Sequence, residues 1–138
     1  MPTVNPTPTL APAPTATAAS VGEWCVFRAK YDEFLKAEKA FNDMWTIRAK
    51  QDPLSSDEWQ TWATGYVDIY QLACSLPRGP LAARLIADKL CACAESLMGW
   101  YRGAGSSDDL RIQANQGRTE AYDMVTDLDT QFGNPQCQ

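Results

Sequence analysis

Five cysteines, Cys25, Cys74, Cys91, Cys93 and Cys137, are the side chains of this sequence best able to do covalent or redox chemistry. Histidine is absent. Its absence excludes Ser-His-Asp and Cys-His nucleophile pairs, every His-ligated metal site, and an imidazole acid or base at neutral pH. No CxxC occurs, and Cys91-Ala-Cys93 is too close a spacing for an ordinary zinc or redox pair. Five is an odd number, so at least one thiol is free or bonded to another molecule. In an oxidising compartment the expectation is two bridges and one leftover thiol. In a reducing one the cysteines are small buried hydrophobes and the protein is cytoplasmic.

The second group with chemical potential is aromatic. Trp45, Trp59, Trp62, Trp100 and Tyr101 offer flat apolar faces that suit a sugar, a lipid tail or a Pro-rich peptide. The competing reading makes them a bulky plug that closes the core.

Other chemistries find no support. Glu120, Asp123, Asp127 and Asp129 fall on one helix face, but no EF-hand spacing is present, and they read as a solvated acidic face. There is no GxGxxG, Walker or GxSxG motif. The expectation is a protein that is not an enzyme, with no catalytic residue, cofactor or metal. With 12 basic against 17 acidic residues, a net charge of −5 and a pI near 4.6, nucleic acid is not the expected partner. No apolar run approaches the ~20 residues that cross a bilayer.

The elements that must position these residues read as helices. The first spans about 21–51: Phe27, Phe34 and Phe41 fall seven apart, with Tyr31, Leu35, Ala37, Met44 and Trp45 in the same stripe. Glu38 lies between Tyr31 and Trp45 in heptad register and reads as a flank residue rather than a buried acid. The second spans about 55–76. It opens on the capping box Ser55-Ser56-Asp57-Glu58 and carries Trp59, Trp62, Ala63, Tyr66, Tyr70, Ala73 and Leu76. The third spans about 80–102, with Ala82, Ile86, Leu90, Cys93, Leu97 and Trp100 on one arc, and Tyr101-Arg102-Gly103-Ala104-Gly105 closes it with a glycine cap. The fourth spans about 107–132, with Leu110, Ala114, Gly117, Ala121, Val125, Leu128 and Phe132. Gly117 costs roughly 1 kcal/mol against Ala in a helix interior, which marks it as a point of close approach. Short connections make sequential helices antiparallel. The expected fold class is all-α: an up-down-up-down four-helix bundle over 21–133, with a C-terminal tail over 134–138.

That topology puts Cys25, Cys74 and Cys137 at one end, making any two of them plausible partners. Cys91 and Cys93 sit ~16–20 Å up the third helix at 1.5 Å per residue. Cys93 is then a free core thiol. Cys91 faces outward, open to a flexible Cys137 or to another chain. The aromatic five collect at the opposite end.

Residues 1–20, MPTVNPTPTLAPAPTATAAS, are a third kind of segment. Pro2, Pro6, Pro8, Pro12 and Pro14 alternate with threonines, and no charge precedes Glu23. The expectation is an extended, polyproline-II-biased arm. It lacks the basic start and apolar stretch of a signal peptide. It resembles the Thr/Pro/Ala stalks of exported bacterial surface proteins, which implies an extracellular or cell-surface location and a Met1 added in place of a removed export signal.

Two functions follow. One is a non-enzymatic structural subunit of an extracellular or particle assembly (filament, layer or capsid-like array), its arm contacting neighbouring protomers. The other is a monomeric cell-surface binding module that uses the aromatic bundle end and is tethered by the arm. The partner is another copy in the first case and a surface partner in the second.

Overall fold

The computed structural model describes residues 18–104, 106 and 108–137. Of the arm expected over residues 1–20, residues 1–17 lie outside them and 18–20 belong to the first helix. The described chain is all-helical: α1 (Ala18–Ala49), α2 (Ser56–Leu72), α3 (Leu81–Arg102) and α4 (Asp109–Gln131), with one 3₁₀ turn, Ala73–Ser75, continuing α2. No strand occurs among the described residues.

Contacts run in opposite chain directions across each neighbouring pair. Phe34 meets Tyr70 and Arg48 meets Glu58, which orders α1 against α2. Trp59 meets Trp100 and Cys74 meets Cys91, ordering α2 against α3. Gly99 meets Leu110 and Lys89 meets Glu120, ordering α3 against α4. Trp24 meets Phe132 and Glu38 meets Arg118, which returns α4 to α1.

The core follows the apolar periodicity. Along α1 the rings of Trp24, Phe27, Tyr31 and Phe34 form a continuous column, with neighbouring centroids 5.3–6.3 Å apart. Phe132 stacks on the Trp24 end at 5.4 Å. Trp24 is fully buried, one turn ahead of the expected start of the stripe. Its indole N–H donates to Asp129 Oδ1 at 2.9 Å, and Arg28 approaches the same oxygen at 3.4 Å. Asp129 is therefore a partnered group and not part of a free acidic face. Two expected core positions are solvated: Met44 lies on the outer side of α1, and Ala82 yields its place to Ala83.

Helices α3 and α4 share the largest interface. Small residues meet there: the Cys93 thiol of α3 donates to Ala114 O of α4 at 3.3 Å, and Gly117 faces the same sulfur. At Gly117 an added Cβ would stand 2.8 Å from Cys93 Sγ, so the helix-propensity cost of glycine is offset by close approach.

Ends follow local chemistry. Ser55 Oγ accepts from Glu58 N at 3.1 Å and the Glu58 carboxylate accepts from Ser55 N at 3.2 Å, completing the capping box. Arg48 also donates to Glu58, and these donors hold the carboxyl at about 2. Gly103 caps α3 as expected, its N–H returning to Gly99 O at 3.1 Å, and the left-handed residue that follows is Ala104, φ 51°. Gly133 (φ 79°) and Asn134 (φ 50°) turn the chain out of α4, and Asn134 N returns to Asp129 O at 2.6 Å.

Four cysteines pair within the chain: Cys25 with Cys137, and Cys74 with Cys91. Cys93 is free and buried. The second bridge corrects the expected levels. The chain leaves the 3₁₀ turn extended at Leu76 (ψ 145°) and enters α3 extended at Pro80 (ψ 169°). Residues 76–80 carry the chain on before α3 begins, so α3 starts below the end of α2. Ten helical residues, ~15 Å, then bring Cys91 back level with Cys74. Cys91 is thus neither paired to Cys137 nor offered to another chain.

Candidate functional site

Two groups of side chains stand out. The first is polar and buried. Glu38 is only 5% exposed. Arg118, reaching across from α4, engages both its oxygens, with Nε to Oε2 at 2.5 Å. Tyr70 of α2 donates its hydroxyl to Oε2 at 2.8 Å. The expected flank residue is therefore the polar centre of the bundle. It sits on the apolar stripe because a charged partner and a hydroxyl from two other helices satisfy it there. Tyr66 extends the network, donating to Asn115 Oδ1 at 3.0 Å.

The surrounding phenols are perturbed. Burial pushes Tyr31 up to about 12 and raises Tyr66 and Tyr70 as well, with the Glu38 charge adding to the rise at Tyr70. Unfolded tyrosines lose their protons near pH 10. Above that pH the unfolded chain binds fewer protons than the native one, so stability falls as pH rises from about 10 toward 12. A melting series is expected to be flat up to about pH 9.5 and to drop steeply above it. A flat alkaline limb would contradict the burial of these phenols. Glu38 and Tyr70 are buried, and the network joins α1, α2 and α4.

The second group is the aromatic end. Trp59 stacks on Tyr101 (6.1 Å, 16°) and tilts against Trp100 at 5.5 Å; Trp62 meets Trp100 edge-on at 5.4 Å. Tyr66, outside the expected five, joins through Trp62 at 5.9 Å. Gln60 Nε2 donates to Tyr101 Oη at 3.0 Å. Trp100 is buried, and its indole N–H has no partner among the described residues. Most of this network is packed ring against ring. Trp45 departs from it: its ring partner is Phe41, at 6.4 Å.

Trp45 and Trp62 instead share an open groove of about 330 Å³, lined by Asn42, Trp45, Thr46, Ala49, Leu54, Trp62 and Tyr66. All seven come from α1, the α1–α2 loop and α2. Asn42, Trp45 and Ala49 follow helical spacing, so the stripe that builds the core lower on α1 here faces solvent. No lining residue is charged. Asn42 and Thr46 add an amide and a hydroxyl to its aromatic wall. A larger cleft of about 500 Å³ beside Cys137 holds Arg28, Asp32, Glu33, Lys36 and Asp129, with Arg28 already paired to both aspartates.

Among the described residues no three Asp, Glu or Cys side chains converge on a point where a metal ion could bind, and no helix is long and apolar enough to cross a membrane. No protein-family model, curated protein or solved structure matches the chain. Two disulfides fit maturation in an oxidising compartment.

Proposed function

We propose that this chain is a non-enzymatic, extracellular or cell-surface binding module, an up-down-up-down bundle that takes an extended, proline-rich peptide in the groove of Trp45 and Trp62. The groove itself carries the reading: two indoles and a phenol ring, uncharged, open along its length, with an amide and a hydroxyl added to them. Asn42 to Ala49 measures roughly 10 Å along α1 at 1.5 Å per residue. One polyproline-II turn, three residues at 3.1 Å, is about 9 Å. Such a helix is already ordered before binding and docks on aromatic-lined grooves at low entropic cost. A lipid tail would favour an enclosed cavity.

The test is a fluorescence titration with decaproline, read on the tryptophans. Saturable binding is expected. Trp45→Ala is expected to weaken it about 30-fold or more, the effect of removing a ~2 kcal/mol anchor. Ala49→Glu, which sets a charge in the groove and leaves the core alone, should weaken it comparably. Equal affinity in all three proteins would overturn the reading.

A second reading, the self-assembling structural subunit, has one observation in its favour. Leu81 and Leu85 lie one turn apart on α3 and are 77% and 63% exposed, at the end of the bundle remote from the groove. Exposed apolar residues grouped at one end suit a contact with another chain.

A further inference from the structure

We infer that the groove's occupant is the Pro/Thr/Ala-rich segment, residues 2–14, of a second copy of this chain, so that copies join head to tail. The inference rests on the proposed affinity of the groove for proline-rich peptide and names the peptide.

Chemical match is the first argument. The segment holds five prolines and no charge, and the groove wall holds aromatic rings, small residues and no charge. Placement is the second. The segment joins α1 at Ala18, the end where Cys25 is bridged to Cys137 and Phe132 covers Trp24. The groove lies at the other end, beside Leu54 and Trp62. A chain leaving one end of a bundle and a receptor at the opposite end make a heterologous contact, which propagates along a line instead of closing on itself.

Length is the third argument. From Ala18 to Trp45 is 27 helical residues, ~40 Å. Seventeen residues in polyproline II span ~53 Å. To reach its own groove the segment must reverse at Ala18 and use ~13 residues running back along α1. That spends Pro6, Pro8, Pro12 and Pro14 on the way. Reaching the next copy needs no reversal and keeps every proline available. Exposed Leu81 and Leu85 stand at the departing end, where they would meet the next copy.

Complementation with full-length chains tests this. One variant, Ala49→Glu, has a blocked groove and an intact segment; the other, Pro6→Asp with Pro8→Asp, has the reverse. Light scattering is expected to give wild-type species that grow with concentration beyond the 15.2 kDa monomer. Each variant alone should stay monomeric, and their mixture should stop at a one-to-one dimer. Free peptide 1–17 should return the wild type to monomer. A wild type that stays monomeric, or assembly that ignores both substitutions, overturns the inference. Monomeric wild type combined with peptide 1–17 binding only to the Pro6/Pro8 variant places the segment in its own groove and also overturns it. Decaproline binding without peptide 1–17 binding removes the inference and leaves the binding module standing, whereas failure of both removes both.

Discussion

Replacing Arg118 by Met is expected to cost the fold about 3 kcal/mol, more than any other single surface-accessible change on α4. The physical reason is Glu38. Its carboxylate is 5% exposed, and among the described residues the guanidinium is the only cation placed on it. Removing one member of a buried pair leaves the other as an uncompensated charge, typically at 3–5 kcal/mol. The lower figure applies because the Arg118 side chain is 40% exposed, so water can enter the space it vacates. Tyr70 still donates to the stranded carboxylate. Thermal melting should register a fall of roughly 10 °C for a chain of this size. The double variant Glu38→Leu with Arg118→Met decides the interpretation. It removes the charge along with its partner, so it is expected to recover most of the loss and leave a coupling of about 2 kcal/mol. A double variant as unstable as the sum of the singles would mean that Glu38 and Arg118 act through packing alone.

How this pair escaped the sequence reading shows what one-dimensional pattern can carry. The helices were legible because each buries one face, and a face is a local property: Phe27, Tyr31 and Phe34 announce it by spacing alone. The capping box was legible for the same reason, since Ser55 and Glu58 are three residues apart. Glu38 and Arg118 are 80 residues apart. Taken singly, a glutamate on an apolar stripe is more economically placed at its wet margin. The available signal was joint: Glu38 in register with Tyr31 and Trp45, and Arg118 four residues after Ala114 on the stripe of a helix expected to lie alongside. Asp129 was misplaced by the same logic, because its partner Trp24 is 105 residues away. The groove was half legible. Trp45 and Trp62 were expected at one end, but whether aromatic faces there pack or stay open depends on where the α1–α2 loop puts Leu54, and periodicity says nothing about that. The Cys74–Cys91 level turned on how far the irregular residues 76–80 carry the chain before α3 begins, and periodicity is silent on that too.

Deleting the Cys25–Cys137 bridge is expected to be the most destabilising change to the disulfides, at about 4–5 kcal/mol, although Cys137 lies beyond the last helix. In the chain-entropy account a bridge acts mainly on the unfolded state, and its worth grows with the loop it closes. Cys25 and Cys137 are 112 residues apart; Cys74 and Cys91 are 17 apart. Loops of roughly 100 and 15 residues correspond to about 4.7 and 3 kcal/mol. The pair variant Cys25→Ala with Cys137→Ala should therefore melt below Cys74→Ala with Cys91→Ala, by a margin worth about 1.5 kcal/mol. The native fold sharpens the difference. Cys25 is on α1 and Cys137 lies just past α4, so this bridge joins the first helix to the last beside the Trp24–Phe132 stack. The other staples two helices that already share Trp59, Trp62 and Trp100 contacts. Thiol titration controls the comparison: wild type should show one reactive thiol, Cys93, and only after unfolding, because it is buried. Equal losses in the two pair variants would contradict the loop-length argument and place the stabilisation in native contacts around each bridge. A larger loss from the short loop would mean that the unfolded chain already keeps α1 and α4 together, so that closing the long loop confers little.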